Sequence, residues 1–277
     1  MTARLGGSHE RHRGGELRVL LTGSAGSIGS VLAPALVALH HDVVGVDLPG
    51  RGAHVALDCT DPVAVDSVVG DVRPDAVIHL AGNPSETSLP DALQSHVVST
   101  GALLESMVRH GVPRMVYASS NHAVGRAPRT ELLGADVHGR PDTFYGVGKV
   151  AAEALLRLYV DRYGIDAIST RIGSFLERPT TRRQLSTWLS HGDAVRMFHA
   201  ALTAPAPEYA VLYGISSNAR AWWDLAPGWA LGYEPTDDAE QFAADVEATP
   251  ETEADRAEAA HVGGPMATSE SGRPAFD

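Results

Sequence analysis

Two side chains in the run Tyr145-Gly146-Val147-Gly148-Lys149 have types and a spacing that can move a proton. On a helix, residues i and i+4 lie on one face about a turn apart, so the phenol and the ammonium share a site. A free tyrosine ionises near pH ~10, too high for a base at neutrality. A fixed positive charge nearby favours the phenolate and lowers that value. Lys149 is the one lysine of the chain, since 21 of its 22 basic residues are arginines. An arginine can supply charge, but lysine is a compact point donor on a stem that tolerates burial. The same spacing also describes an ordinary surface pair, so the surrounding elements decide between the readings.

Those elements alternate. Leu17–Leu21 is an apolar run of the kind found in buried parallel strands. It enters Thr22-Gly23-Ser24-Ala25-Gly26-Ser27-Ile28-Gly29, and an apolar-rich helical stretch follows to about His40, with Pro34 inside it expected to bend it. Asp42–Asp47, His54–Asp58, Ala76–Leu80, Arg114–Ala118 and Ile165–Arg171 read as further strands. Between them lie helices over Pro62–Val69, opened by Asp61, over about Asp91–His110, and from Tyr145 to about Tyr163, stopped by Gly164. Strict alternation means parallel strands joined by right-handed crossovers: an α/β, Rossmann-type doubly wound sheet. After Gly173 the pattern loosens. Helices near Asp193–Leu202 and Asp238–Glu247, with a strand around Val211–Ile215, suggest a small C-terminal substrate cap.

The expected organisation is a disordered leader over residues 1–16 and a single domain over 17–249. Its strand–helix alternating part spans about 17–172 and its cap about 173–249; residues 250–277 read as a mobile acidic tail. His9, Glu10 and His12 lack the spacing of a zinc helix, so no metal is expected. No apolar run approaches the roughly 20 residues of a membrane span, and a signal-peptide core is not evident. The single Cys59 excludes an internal disulfide and fits a reducing cytoplasm. A formal net charge of -12 argues against non-specific nucleic-acid binding, while leaving room for a small anion held by one local arginine.

Gly23-x-x-Gly26-x-x-Gly29 sits between a strand and a helix, where glycines let the backbone approach a pyrophosphate at a helix N-terminus. Ala25, Ser27 and Ile28 belong to the same cofactor-binding loop. Asp47 ends the second strand, where an acid can hold both adenosine ribose hydroxyls and repel a 2′-phosphate. That favours NAD over NADP, with Arg51 pulling the other way. Asp58, beside Cys59, can meet the adenine amino group or be a plain turn acid. Leu80, Ala81 and Gly82 end the fourth strand, where small residues admit a dinucleotide.

With these pieces together, the chain resembles the short-chain dehydrogenase/reductase superfamily over most of Leu17–Glu247, within its NAD-dependent epimerase/dehydratase-like subgroup. More narrowly it resembles the uronate dehydrogenases. The strings that carry this are Ala118-Ser119-Ser120-Asn121-His122, Arg140-Pro141-Asp142, Arg171-Ile172-Gly173-Ser174, Leu185-Ser186-Thr187-Trp188 and Trp222-Trp223-Asp224. The resemblance implies NAD-dependent oxidation of a hexuronic acid, galacturonate or glucuronate, at C1 to the aldarolactone. It implies Tyr145 as base, Lys149 as its electrostatic partner and ribose ligand, and Ser120 as the hydroxyl orienting the reacting oxygen. Asn121, His122 and Ser174 match substrate-contacting positions, and Arg183 matches the arginine on the sugar carboxylate, with Arg182 adjacent and able to substitute. A homo-oligomer is expected.

Two positions depart from the uronate dehydrogenase pattern. Asn83-Pro84-Ser85 follows Gly82 where a serine would reach the substrate directly, leaving Ser85 to replace it or the pocket to differ. Gly148 stands where serine is usual before the lysine. His122 also has a reading as a loop histidine, His79 as a satisfied core residue, and Trp188, Trp222 and Trp223 as cap core. The competing functions are a sugar-nucleotide epimerase or dehydratase that keeps its NAD, and a non-catalytic NAD-binding sensor.

Overall fold

The structure is a computed structural model that describes residues 16–127, 129, 132–260 and 262–267. The expectations for residues 1–15, 261 and 268–277 lie outside the described residues. Seven parallel strands form the central sheet in the order β3-β2-β1-β4-β5-β6-β9. They are β1 (Arg18–Thr22), β2 (Asp42–Asp47), β3 (Val55–Ala56), β4 (Ala76–His79), β5 (Arg114–Ser120), β6 (Asp166–Ile172) and β9 (Tyr209–Gly214). The doubly wound α/β sheet expected from alternation is therefore present.

Side chains alternate across each strand, so both faces of the sheet need cover. Val19 and Leu21 pack with Leu32 and Leu36 of α1 (Ser27–Ala38) and with Met197 and Phe198 of α7 (His191–Thr203). Leu20 points the other way, into a core with Val65 and Val69 of α2 (Pro62–Val72), Leu103 and Met107 of α4 (Ser99–His110), and Leu156 of α5 (Phe144–Tyr163). The strand order reverses between β1 and β4, which opens a crevice at their carboxyl ends, directly above the glycine loop.

Several expectations need correcting. The strand expected in the cap, β9, is the seventh strand of the main sheet, paired with β6 from Ala167↔Tyr209 to Ile172↔Gly214. Its apolar residues complete the sheet edge, a long-range pairing that local pattern does not announce. β3 is two residues long, because the chain turns away at Leu57 to bring Asp58 and Cys59 to the crevice. The helix expected over Asp91–His110 is present and starts at Leu89, but it carries a π-helical turn inside it: α3 (Leu89–Leu93), the turn (Gln94–Val98) and α4 follow without a gap. The helix expected over Asp238–Glu247 shrinks to a 3-10 turn (Ala239–Phe242) and α9 (Ala243–Val246).

Beyond β6 lie β7 (Ser174–Phe175), α6 (Gln184–Thr187) and β8 (Trp188–Leu189), with β7 and β8 paired, and α8 (Ala226–Ala230) follows β9. Trp188, Trp222 and Trp223 are buried. Part of the segment read as a tail is laid down on the body: α10 (Glu253–Ala259) starts from a capping box of Thr252 and Asp255, and Val262 is buried. No helix among the described residues is long and apolar enough to cross a membrane.

Candidate active site

The crevice is a cleft of about 980 Å³. At its floor, Gly26 is the N-cap of α1 and offers no capping side chain, so the first helical N–H groups stay free for an anion. The glycines are sterically required. A Cβ on Gly29 would lie 2.2 Å from the Gly23 carbonyl oxygen, and one on Gly23 would lie 2.8 Å from the Ala81 nitrogen. Gly23 also has φ +70, a conformation natural to glycine. Asp47 braces the loop, accepting from the Ala25 N–H at 2.9 Å and the Leu48 N–H at 2.8 Å. Arg51 approaches it at 4.0 Å from an exposed position.

Gly23, Ala25, Gly26, Ser27, Ile28, Gly29, Asp47, Asp58, Cys59, Leu80, Ala81 and Gly82 all line this cleft, together with Ser120, Tyr145 and Lys149. Asp58 accepts from the Thr60 N–H and hydroxyl at 2.9 and 2.8 Å, which gives it the turn role as well as a place on the cleft wall. Burial pushes the Cys59 thiol up to about 12, leaving it inert. A cleft with a glycine floor, free helix N–H groups and a strand-end acid suits a dinucleotide.

Tyr145 and Lys149 line the same cleft from α5. Thr143 caps α5 through its hydroxyl, 2.9 Å from the Gly146 N–H, and the Glu86 carboxylate accepts from the Phe144 and Tyr145 N–H groups at 3.0 and 3.1 Å. Nothing in local sequence flags Glu86, which is 58 residues before Phe144. Ser120 ends β5 and accepts from the His122 N–H at 3.2 Å. Lys149 is buried, donates to the Ala118 carbonyl at 2.7 Å, and lies 5.4 Å from the centre of the Tyr145 ring. One turn on, Glu153 holds Arg171 of β6 through two bonds of 3.1 and 2.8 Å and accepts from Ser119 of β5. Glu153 thereby ties α5 to β6 through Arg171 and, through Ser119, to β5, which ends in Ser120.

The electrostatics differ from the expectation that the ammonium depresses the phenol. Burial pushes Tyr145 upward, a hydrogen bond with Ser120 opposes it, and Asp142 adds to it. Burial likewise pulls Lys149 down to about 7, against the opposing charge of Glu153. Enclosure disfavours either charge, and the sequence pattern carried no information about enclosure.

The residues matched to substrate contacts lie mainly off this cleft. Ser85 is exposed, with its N–H on the Asn83 side-chain oxygen at 3.1 Å. The Ser174 hydroxyl meets that of Thr187 at 2.9 Å. His122 pairs through Nδ1 with Asp142 at 2.9 Å and packs edge-on against Tyr145. Asn121 Nδ2 donates to the Val262 carbonyl at 3.0 Å, and Arg183 Nη2 donates to the same oxygen at 2.6 Å. The Arg183 Nε is buried without a partner, and burial pulls its guanidinium down to about 10. Arg182 is instead spent on Glu247 at 3.0 Å and on the Thr249 carbonyl. His79 is a satisfied core residue, 2.7 Å from the Thr22 hydroxyl.

A model of the NAD dependent epimerase/dehydratase family matches residues 19–191, which include both the glycine loop and the Tyr145/Lys149 pair. The chain belongs to that family. Within it, a uronate dehydrogenase of Pseudomonas putida is 37% identical over 257 residues, covering 90% of this chain and 95% of that protein. A glucuronic acid dehydrogenase from Chromohalobacter salexigens has a structure with a TM-score of 0.84 and 36% identity, covering 90% of this chain and 96% of the other. A uronate dehydrogenase variant from Agrobacterium tumefaciens, complexed with NAD, gives 0.83 and 36%, covering 94% and 98%. In this member of the family the glycine loop and the Tyr145/Lys149 pair therefore line one cleft.

Proposed function

We infer that the protein is an NAD-dependent dehydrogenase that oxidises a hexuronic acid at C1 to the aldarolactone. The observation that carries this reading is Ser120, Tyr145 and Lys149 on the same cleft as the glycine loop and Asp47, in a chain 37% identical to a uronate dehydrogenase over 90% of its length. NAD, when bound, supplies the hydride acceptor. Tyr145, as phenolate, takes the proton of the C1 hydroxyl of the ring hemiacetal. The Ser120 hydroxyl holds the same oxygen and supports the phenolate by a hydrogen bond. Lys149 lies one helical turn behind the phenol, supplies a donor toward a ribose hydroxyl, and adds positive charge in the fraction that is protonated around its pKa of about 7. Arg183 suits the sugar carboxylate, because its two parallel N–H bonds match two oxygens. Its present partner, one backbone carbonyl, is a weaker acceptor than a carboxylate. Since burial raises Tyr145, the base form gains population toward alkaline pH, and kcat/KM rises as pH climbs from neutrality.

Mixing protein, NAD and a panel of uronic acids, aldoses and nucleotide sugars, and following NADH absorbance, tests the reading. Net NADH with galacturonate or glucuronate is expected. Conversion of a nucleotide sugar without net NADH would move the assignment to an epimerase. NAD binding with no turnover of any sugar would move it to a sensor.

A further inference from the structure

The two departures, Asn83-Pro84-Ser85 and Gly148, converge on one side chain that neither motif nor spacing marks: His96. It sits on the π-helical turn Gln94–Val98, an irregularity of the type that recurs at functional sites, and it is 1% exposed. Its Nε2 lies 3.0 Å from the Asn83 carbonyl oxygen. A carbonyl only accepts, so Nε2 carries the hydrogen and the imidazole is held in one tautomer. The Ser95 hydroxyl accepts from the Asn83 N–H at 2.7 Å, so the π turn grips Asn83 by both backbone groups. The ring stands edge-on to Tyr145, centroids 5.1 Å apart and planes 81° apart.

Two glycines box it in. A Cβ on Gly82 would lie 2.6 Å from the imidazole Cε1. A Cβ on Gly148 would lie 3.1 Å from its Cδ2, and equally close to the Ala92 carbonyl oxygen. With Nε2 held by Asn83, a Cβ at either glycine would press on a ring that stands against Tyr145.

We propose that His96 is a positioning residue of the dehydrogenase: it clamps the Asn83–Ser85 loop to α5 and holds the Tyr145 ring, and Gly148 is glycine because the imidazole fills the space beside it. The proposal rests on the function inferred above. Pinning the phenol ring keeps its oxygen at Ser120; releasing the ring lets that oxygen wander from the site of proton transfer.

The test is a double-mutant cycle on the NAD-loaded enzyme with His96→Asn, Gly148→Ala and both together, reading kcat, KM for the sugar acid and KM for NAD. Gly148→Ala is expected to lower kcat about tenfold or more with KM for NAD nearly unchanged, and the double variant to recover to within about threefold of His96→Asn alone. Unchanged kcat in Gly148→Ala, or losses that simply multiply in the double variant, would overturn the proposal. Should Gly148→Ala not fold, His96→Gln, which keeps a donor for the Asn83 carbonyl, is expected to retain several-fold more kcat than His96→Leu; equal values overturn it. A second readout needs no substrate. Tyrosinate absorbance, titrated with the Tyr145→Phe signal subtracted, is expected to shift its midpoint in Gly148→Ala, or in His96→Leu, and to return in the double variant or in His96→Gln. An unmoved midpoint sinks the role of His96, whereas a wild-type enzyme silent on every sugar acid sinks the function alone.

Discussion

At the scale of single residues, the proposed chemistry rests on one phenol, that of Tyr145, on the cleft lining. Tyr145→Phe keeps the ring that packs against His96 and His122 but removes the hydroxyl. Turnover is expected to fall by about 10²–10⁴-fold with NAD affinity nearly unchanged, as measured by NADH formation and by calorimetric titration. Arg183 is tested by its substrate. Its replacement by Ala should raise KM for a uronic acid by at least about tenfold and leave KM for the uncharged aldose almost where it was. Equal effects on both sugars would remove the carboxylate from its account. Tyr145 and Lys149 were legible because their spacing is a helical one and because lysine is so rare in this chain. Their protonation was not, since it depends on burial by Leu80, Ala118 and the rest of a cleft built from distant segments.

At the scale of elements, α5 carries both Tyr145 and Lys149, and its first turn sets the angle at which Tyr145 enters the cleft. Thr143 supplies the cap and Glu86 two further acceptors, from a loop on the other side of the site. Thr143→Ala should cost about 1 kcal/mol in urea unfolding, and should lower kcat more than KM because it loosens the turn bearing the phenol. An unchanged kcat beside the lost stability would assign the cap to folding only. The helix and its Gly164 stop were readable from period and punctuation. The π turn at Gln94–Val98 was not, because the apolar positions continue the helical rhythm straight through it.

At the scale of the whole molecule, the fold buries Lys149 and lowers it from its usual range to about 7. The unfolded chain, with lysine near pH ~10.4, binds a proton that the fold does not wherever pH lies between those values, so folding is strengthened as pH rises through that window. Below about 7 the buried charge is retained and its cost is fully present. Stability of the NAD-free protein should thus climb from neutrality toward pH ~10 by at most roughly 1.4 kcal/mol per unit from this group. Lys149→Met should flatten the climb, as read by urea unfolding at several pH values. Parallel wild-type and variant curves would show that Lys149 keeps its proton in the folded state.

Local pattern determined the alternation, hence the parallel sheet, the glycine loop at the first strand end, and the Tyr145/Lys149 stripe. Each of these depends on neighbours within a few residues or on one repeated period. Tertiary structure alone decided that β9 joins the sheet beside β6, and that Val262 delivers its carbonyl to both Asn121 and Arg183. It alone seated His96 between Gly82 and Gly148. Those contacts join residues far apart in the chain, and their energy comes from packing and enclosure, which no short stretch of sequence encodes.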